Sequence, residues 1–167
     1  MVVALLSALV LVPAGFTENA TLNARAAWVA GKPVHVYCAQ DDAAWQAYVA
    51  TLPVAPIAIP HGYTPQFGGD AAYLGPDVCN VIDTRLNKQA VDLVTLGAVL
   101  DILAVESLHM KGERDDGQTA CDALHIVGRF AIAKWGFRNH TFALGQMLRG
   151  ARAYLASQPT QYHTAGC

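Results

Sequence analysis

The residues best equipped for chemistry lie together in one stretch, Ala104-Val105-Glu106-Ser107-Leu108-His109-Met110-Lys111-Gly112-Glu113-Arg114-Asp115-Asp116. Glu106 sits in a long apolar run. A carboxyl group buried there needs a proton, a hydrogen bond or a cation to offset the loss of water. His109 follows three residues later and falls on a neighbouring part of the same helical surface. Gly112 lets the chain turn, so that Asp115 and Asp116 come back toward His109. A carboxylate, an imidazole and a returning carboxylate make either a metal site or an acid–base pair.

On these residues the segment resembles the active-site helix of zinc-dependent metallopeptidases, which carry His-Glu-x-x-His. The longer metzincin-type pattern adds a glycine and a third ligand, His or Asp. This chain matches it at Glu106, His109, Gly112 and Asp115. It is also similar to small exported bacterial and phage proteins of a metallopeptidase-like group. These have a cysteine-bearing strand, a mid-chain cysteine, and a site helix with another cysteine a few residues beyond. Asp116 stands where that group commonly has an acid and Cys121 at its later cysteine; the similarity runs from Val34 to Leu124. The resemblance implies a peptide hydrolase acting on a peptide or protein substrate. Zinc would be held by His109 and Asp115, with Asp116 beside them, and Glu106 would take a proton from zinc-bound water.

The departure is at the first histidine, which is Val105 here. A valine cannot ligate, so zinc binding is expected to be weak or absent and peptide hydrolysis with it. Three readings follow. The chain keeps the scaffold with decayed zinc chemistry, or it completes the site with His125, Asp122 or a partner's ligand. In the third, Glu106 and His109 are simply a buried polar pair in a non-enzymatic exported protein.

The elements that must hold this segment can be read from pattern and punctuation. Leu22 to Ala30 is a short helix ended by Gly31, and Pro33 to Cys38 alternates as a strand. Asp41-Asp42 cap a helix to about Leu52, stopped by Pro53. Prolines and glycines between Pro53 and Pro76 mark loops, with extended pieces near Ile57–Ile59 and Ala71–Leu74; Gly62 to Asp70 reads as a mobile loop. Asp77 caps a helix through Cys79, Ile82 and Leu86. Gln89 to His109 is apolar on nearly every side, as a central helix is. A helix from Asp115 or Asp116 to Trp135 and one capped by Asn139 and reaching Ser157 complete the chain. The fold expected is α+β, a small mixed region followed by a helical bundle, with residues 15–167 as one metallopeptidase-like domain.

Composition sets the outer limits. Of 167 residues, 53% are hydrophobic and only 14% charged, enough apolar surface for one substantial core. A net charge of −2 argues against disorder and against a nucleic-acid partner held by a strongly basic field. Yet the charge is uneven: all 13 acids lie in residues 1–122, while residues 123–167 carry bases and no acid. That segment either packs against the acidic part or offers a basic face to an anionic partner. The apolar run from Met1 to Val12, followed by Pro13-Ala14-Gly15, is too short to span a bilayer and fits a signal peptide over residues 1–14. Behind it, Cys38, Cys79, Cys121 and Cys167 form no CxxC pair, and two disulfides are expected. Of three connectivities the first choice is Cys38–Cys79 with Cys121–Cys167. Together these point to an extracytoplasmic protein, secreted or in the cell envelope, with no stable membrane span.

Overall fold

The computed structural model describes residues 12–52, 61–163 and 167. Among them the fold is α+β. The chain runs β1 (Phe16–Glu18), α1 (Ala20–Ala30), β2 (His35–Ala39), α2 (Asp42–Val49), β3 (Gly62–Tyr63), β4 (Ala71–Leu74), α3 (Pro76–Leu86), α4 (Leu93–Lys111), α5 (Asp116–Trp135) and α6 (Phe142–Ser157), with a short 3-10 turn at Thr160–Tyr162. The signal-peptide reading falls mostly on residues 1–11 and the strand near Ile57–Ile59 on residues 53–60, both outside the described residues.

Local chemistry explains most boundaries. Asp41, Asp92, Asp115 and Thr141 each accept a hydrogen bond from a backbone N–H of the helix that follows them. Gly31 and Gly136 close α1 and α5 in the left-handed conformation that glycine adopts without steric cost. Two caps differ from the sequence reading. Asp77 lies inside the first turn of α3 and turns to His61, leaving Gly75 as the capping residue. Asn139 bonds the N–H of His140, and Thr141, two residues later, starts α6.

The four strands lie in the order β1-β2-β4-β3, with β2 and β4 parallel and both outer pairs antiparallel. Strand alternation gives the sheet two apolar faces. Val36, Ala72 and Leu74 face the helices and join the main core. Tyr37, Ala39, Ala71 and Tyr73 face the other way and pack with Phe16, Trp45 and Val49. The opposed Tyr37 and Tyr73 stack with ring centroids 5.2 Å apart.

Helix α4 is the centre of the main core, and nearly all of its residues from Leu96 to Met110 are buried. It is apolar and long enough to cross a bilayer by length and composition, but here those side chains are covered by protein. Its neighbour α6 comes so close that glycines are required. A Cβ on Gly97 would collide with the Met147 carbonyl, and one on Gly150 with the Val94 carbonyl.

Both disulfides follow the first choice among the three connectivities. Cys38 of β2 is joined to Cys79 of α3, Cα atoms 6.0 Å apart, tying sheet to helix. Cys121 of α5 is joined to Cys167, Cα atoms 5.4 Å apart, tying the chain end to the bundle. They span sequence separations of 41 and 46 residues, each contributing on the order of 3–4 kcal/mol in the chain-entropy model.

Because the obstruction at Gly97 and Gly150 is backbone, no rotamer change relieves it. Gly97→Ala and Gly150→Ala are each expected to lower stability by about 2 kcal/mol or more, read as a fall in Tm by thermal denaturation. Gly145, on the same helix with open space around its Cβ position, is the control: Gly145→Ala should be neutral or slightly stabilising.

Candidate functional site

Glu106 reaches the middle of the protein because α4 does. It is 7% exposed, and its carboxyl is held from the sheet edge. The hydroxyl of Thr64, just past β3, donates to Glu106 Oε2 at 2.7 Å and lies 3.2 Å from the Glu106 carbonyl. At Gly62 of β3, a Cβ would stand 2.9 Å from both Cγ and Oε1 of Glu106. The glycine therefore leaves room for the acid, and the β3 backbone covers it. Burial pushes the Glu106 carboxyl above its ordinary range, and the Asp116 charge adds to this. The fields of His109 and the Thr64 bond oppose the rise without cancelling it.

His109 is buried on the last turn of α4. Its Nδ1 lies 2.9 Å from the carbonyl oxygen of Glu113; a carbonyl only accepts, so Nδ1 carries the hydrogen. Nε2 is thereby turned toward Asp116 Oδ1, at 3.7 Å, which is longer than a hydrogen bond. Phe67 lies against the ring, centroids 5.1 Å apart, and the Gly68 N–H donates to the His109 carbonyl at 2.8 Å. The glycine-rich segment read as a mobile loop thus contributes a short strand and two contacts to this histidine and its helix end.

The two returning aspartates part company. Asp115 is exposed and caps α5, accepting from the Gln118 N–H at 2.8 Å. Asp116, one residue on, is the carboxylate that faces His109. Val105 is half-buried against the main core. Asp122 accepts from the Gln118 side chain, and His125 is exposed on α5. Glu106, His109 and Asp116 are therefore neighbours, whereas Asp115 is committed to its helix. Among the described residues no group of three or more His, Cys, Asp or Glu side chains gathers as metal ligands.

A second set of polar residues borders the first. Asp101 is 1% exposed, and its Oδ1 has no hydrogen-bond partner among the described residues. Burial alone pushes its carboxyl up to about 8. From α6, Tyr154 approaches these acids: its phenol is pushed up by burial and then by the charges of Glu106 and Asp101. His61 packs edge-on against Tyr154 and pairs through Nδ1 with Asp77 Oδ2 at 2.5 Å. That bond raises the His61 imidazole against the cost of burial. Against the upward push of its own partial burial, Asp77 is held below the ordinary carboxylate range by His61 and the Val78 N–H. Thr64, Gly62, Tyr154 and the His61–Asp77 pair carry no local signal in the sequence, since each meets its partner only through long-range packing.

The chain matches no family model, no curated protein and no solved structure.

Asp101 generates a pH dependence of known sign. Its folded-state value near 8 lies above the ordinary 3.8, so the folded protein keeps a proton that the unfolded chain has released. Its contribution to stability is therefore present at low pH and lost as pH rises from about 4 to about 8. Asp101→Asn should remove that slope, with a stability advantage over the wild type, followed through Tm, that grows by roughly 1–3 kcal/mol between pH 5 and pH 8. Thr64→Val should cost about 1–3 kcal/mol, because Glu106 would lose its hydroxyl partner in a buried setting.

Proposed function

We propose that this is an exported metallopeptidase-like protein whose hydrolytic centre has decayed, leaving weak or no peptide hydrolysis. The observation that carries the reading is the enclosure of Glu106. A general base must meet the water it deprotonates. Here Oε2 is bonded to the Thr64 hydroxyl, and the β3 backbone lies over the remaining oxygen.

The donor chemistry supports the same conclusion. A catalytic zinc takes three protein ligands and keeps a position open for water. His109, with Nδ1 anchored on a carbonyl, is oriented as a metal-binding imidazole should be, and Asp116 supplies an oxygen beside it. Among the described residues the third donor is missing. Val105 offers methyl groups where the pattern has an imidazole, and Asp115 is taken up as a helix cap. These residues do not fit a catalytic zinc centre. Asp116 beside the His109 Nε2 instead suits an acid–imidazole contact that fastens the end of α4 to the start of α5.

Export is supported by the two cysteine pairs, which persist in oxidising compartments.

Metal analysis of the purified, oxidised full chain tests the proposal. The wild type should retain well under one equivalent of zinc and leave peptide substrates intact. Val105→His restores the missing imidazole and should bring zinc content to about one equivalent. A wild type holding about one equivalent of chelator-removable zinc, with peptidase activity abolished in Glu106→Gln, would overturn the reading.

A further inference from the structure

Away from the site helix, the middle of α1 and the C-terminal ends of α3 and α5 border a depression of about 310 Å³ lined by Arg25 of α1, Arg85, Leu86 and Lys88 at the end of α3, Lys134 and Trp135 of α5, and Gly136. Four cations meet there and no acidic side chain lines it. None of the four is ion-paired among the described residues. Like charges gathered in this way repel one another unless an anion lies between them.

Part of the arrangement is structural. The Arg25 Nε donates to the Lys134 carbonyl at 3.2 Å, and Arg85 Nη2 approaches the Trp135 carbonyl at 3.5 Å. Cations belong at a helix C-terminus, where carbonyls lack partners. Arg25 also lies over the Trp135 ring, 4.5 Å from its centroid, and Arg85 lies 5.6 Å from that of Phe137. These contacts fix the planes of two guanidinium groups and leave further N–H donors on each. Lys134, in the last turn of α5, has its ammonium 6.0 Å from the Trp28 ring centroid, and neither it nor the Lys88 ammonium makes a hydrogen bond to the chain among the described residues. Lys88 is held in the left-handed region at φ 59°, a conformation that favours glycine, yet a cation occupies it. Burial also disfavours the charge on Arg25, a cost that a bound anion would offset.

We propose that this depression is a binding site for a phosphate group, either free phosphate or a phosphate monoester. Two oriented guanidinium forks suit a tetrahedral oxyanion and two ammonium groups supply compact charge. The volume exceeds that of a phosphate alone and leaves room for a small organic portion beside it. The site lies apart from Glu106 and His109 and stands whether or not the reading of that helix does.

Thermal shift on the oxidised full chain, with sodium phosphate titrated against sodium chloride at equal ionic strength, tests this. Phosphate at about tenfold excess over its Kd should raise Tm by about 3–5 °C beyond chloride. Lys88→Gly removes a cation and relieves the left-handed backbone, so its Tm without phosphate should equal or exceed the wild type while phosphate affinity falls about tenfold. The Lys88→Gln and Lys134→Gln double variant should lose the response. Glucose 1-phosphate separates the sources: tighter binding than phosphate assigns the site to a monoester, and equal binding to free phosphate. A wild type that responds no more to phosphate than to chloride, or variants that respond as it does, would overturn the proposal.

Discussion

The rest of the structure depends on the close approach of α4 and α6, backbone against backbone, at Gly97 and Gly150. Only with side chains absent at those two points can the helices come near enough for Leu100, Leu103 and Met147 to be fully buried. The sheet, α1, α3 and α5 then close around α4 from the other directions. A helix apolar all round is stable in water only when covered in this way.

That enclosure governs the chemistry of the polar residues on α4. Asp101 and Glu106 enter the interior because their helix does, and burial pushes both carboxyls toward the protonated form. Glu106 is accommodated by a hydroxyl from the sheet edge and by the missing side chain at Gly62. His109, one turn further, lies near the helix end and can meet groups beyond it: the Glu113 carbonyl and the Asp116 carboxylate. The two are equally buried and differ in their partners: the acid is held from the sheet, the imidazole from beyond the helix end.

Helix positions were legible because their signals are local. Gly31, Gly112 and Gly136 end helices where glycine can take positive φ, and Asp115 and Asp41 begin them. The edge strands β1 and β3 escaped notice because three or two residues carry too little alternation. The cap of α6 was misplaced since Asn139 and Thr141 are both good capping residues two positions apart. Asp77 is a good cap that found a better partner in His61, sixteen residues away in sequence.

By itself the sequence determined the fold class, the buried central helix, and the neighbourhood of Glu106 and His109, whereas the choice among three cysteine pairings waited for the fold. These follow from periodicity, turn residues and short offsets, which act within a few turns of chain. Tertiary structure alone decided which aspartate faces the imidazole, since one residue of rotation at the start of α5 separates a helix cap from a neighbour of His109. It likewise decided that Thr64 holds Glu106, and that four cations scattered from Arg25 to Lys134 share one depression. Such contacts join residues far apart in the chain, and their distances exist only once the core has packed.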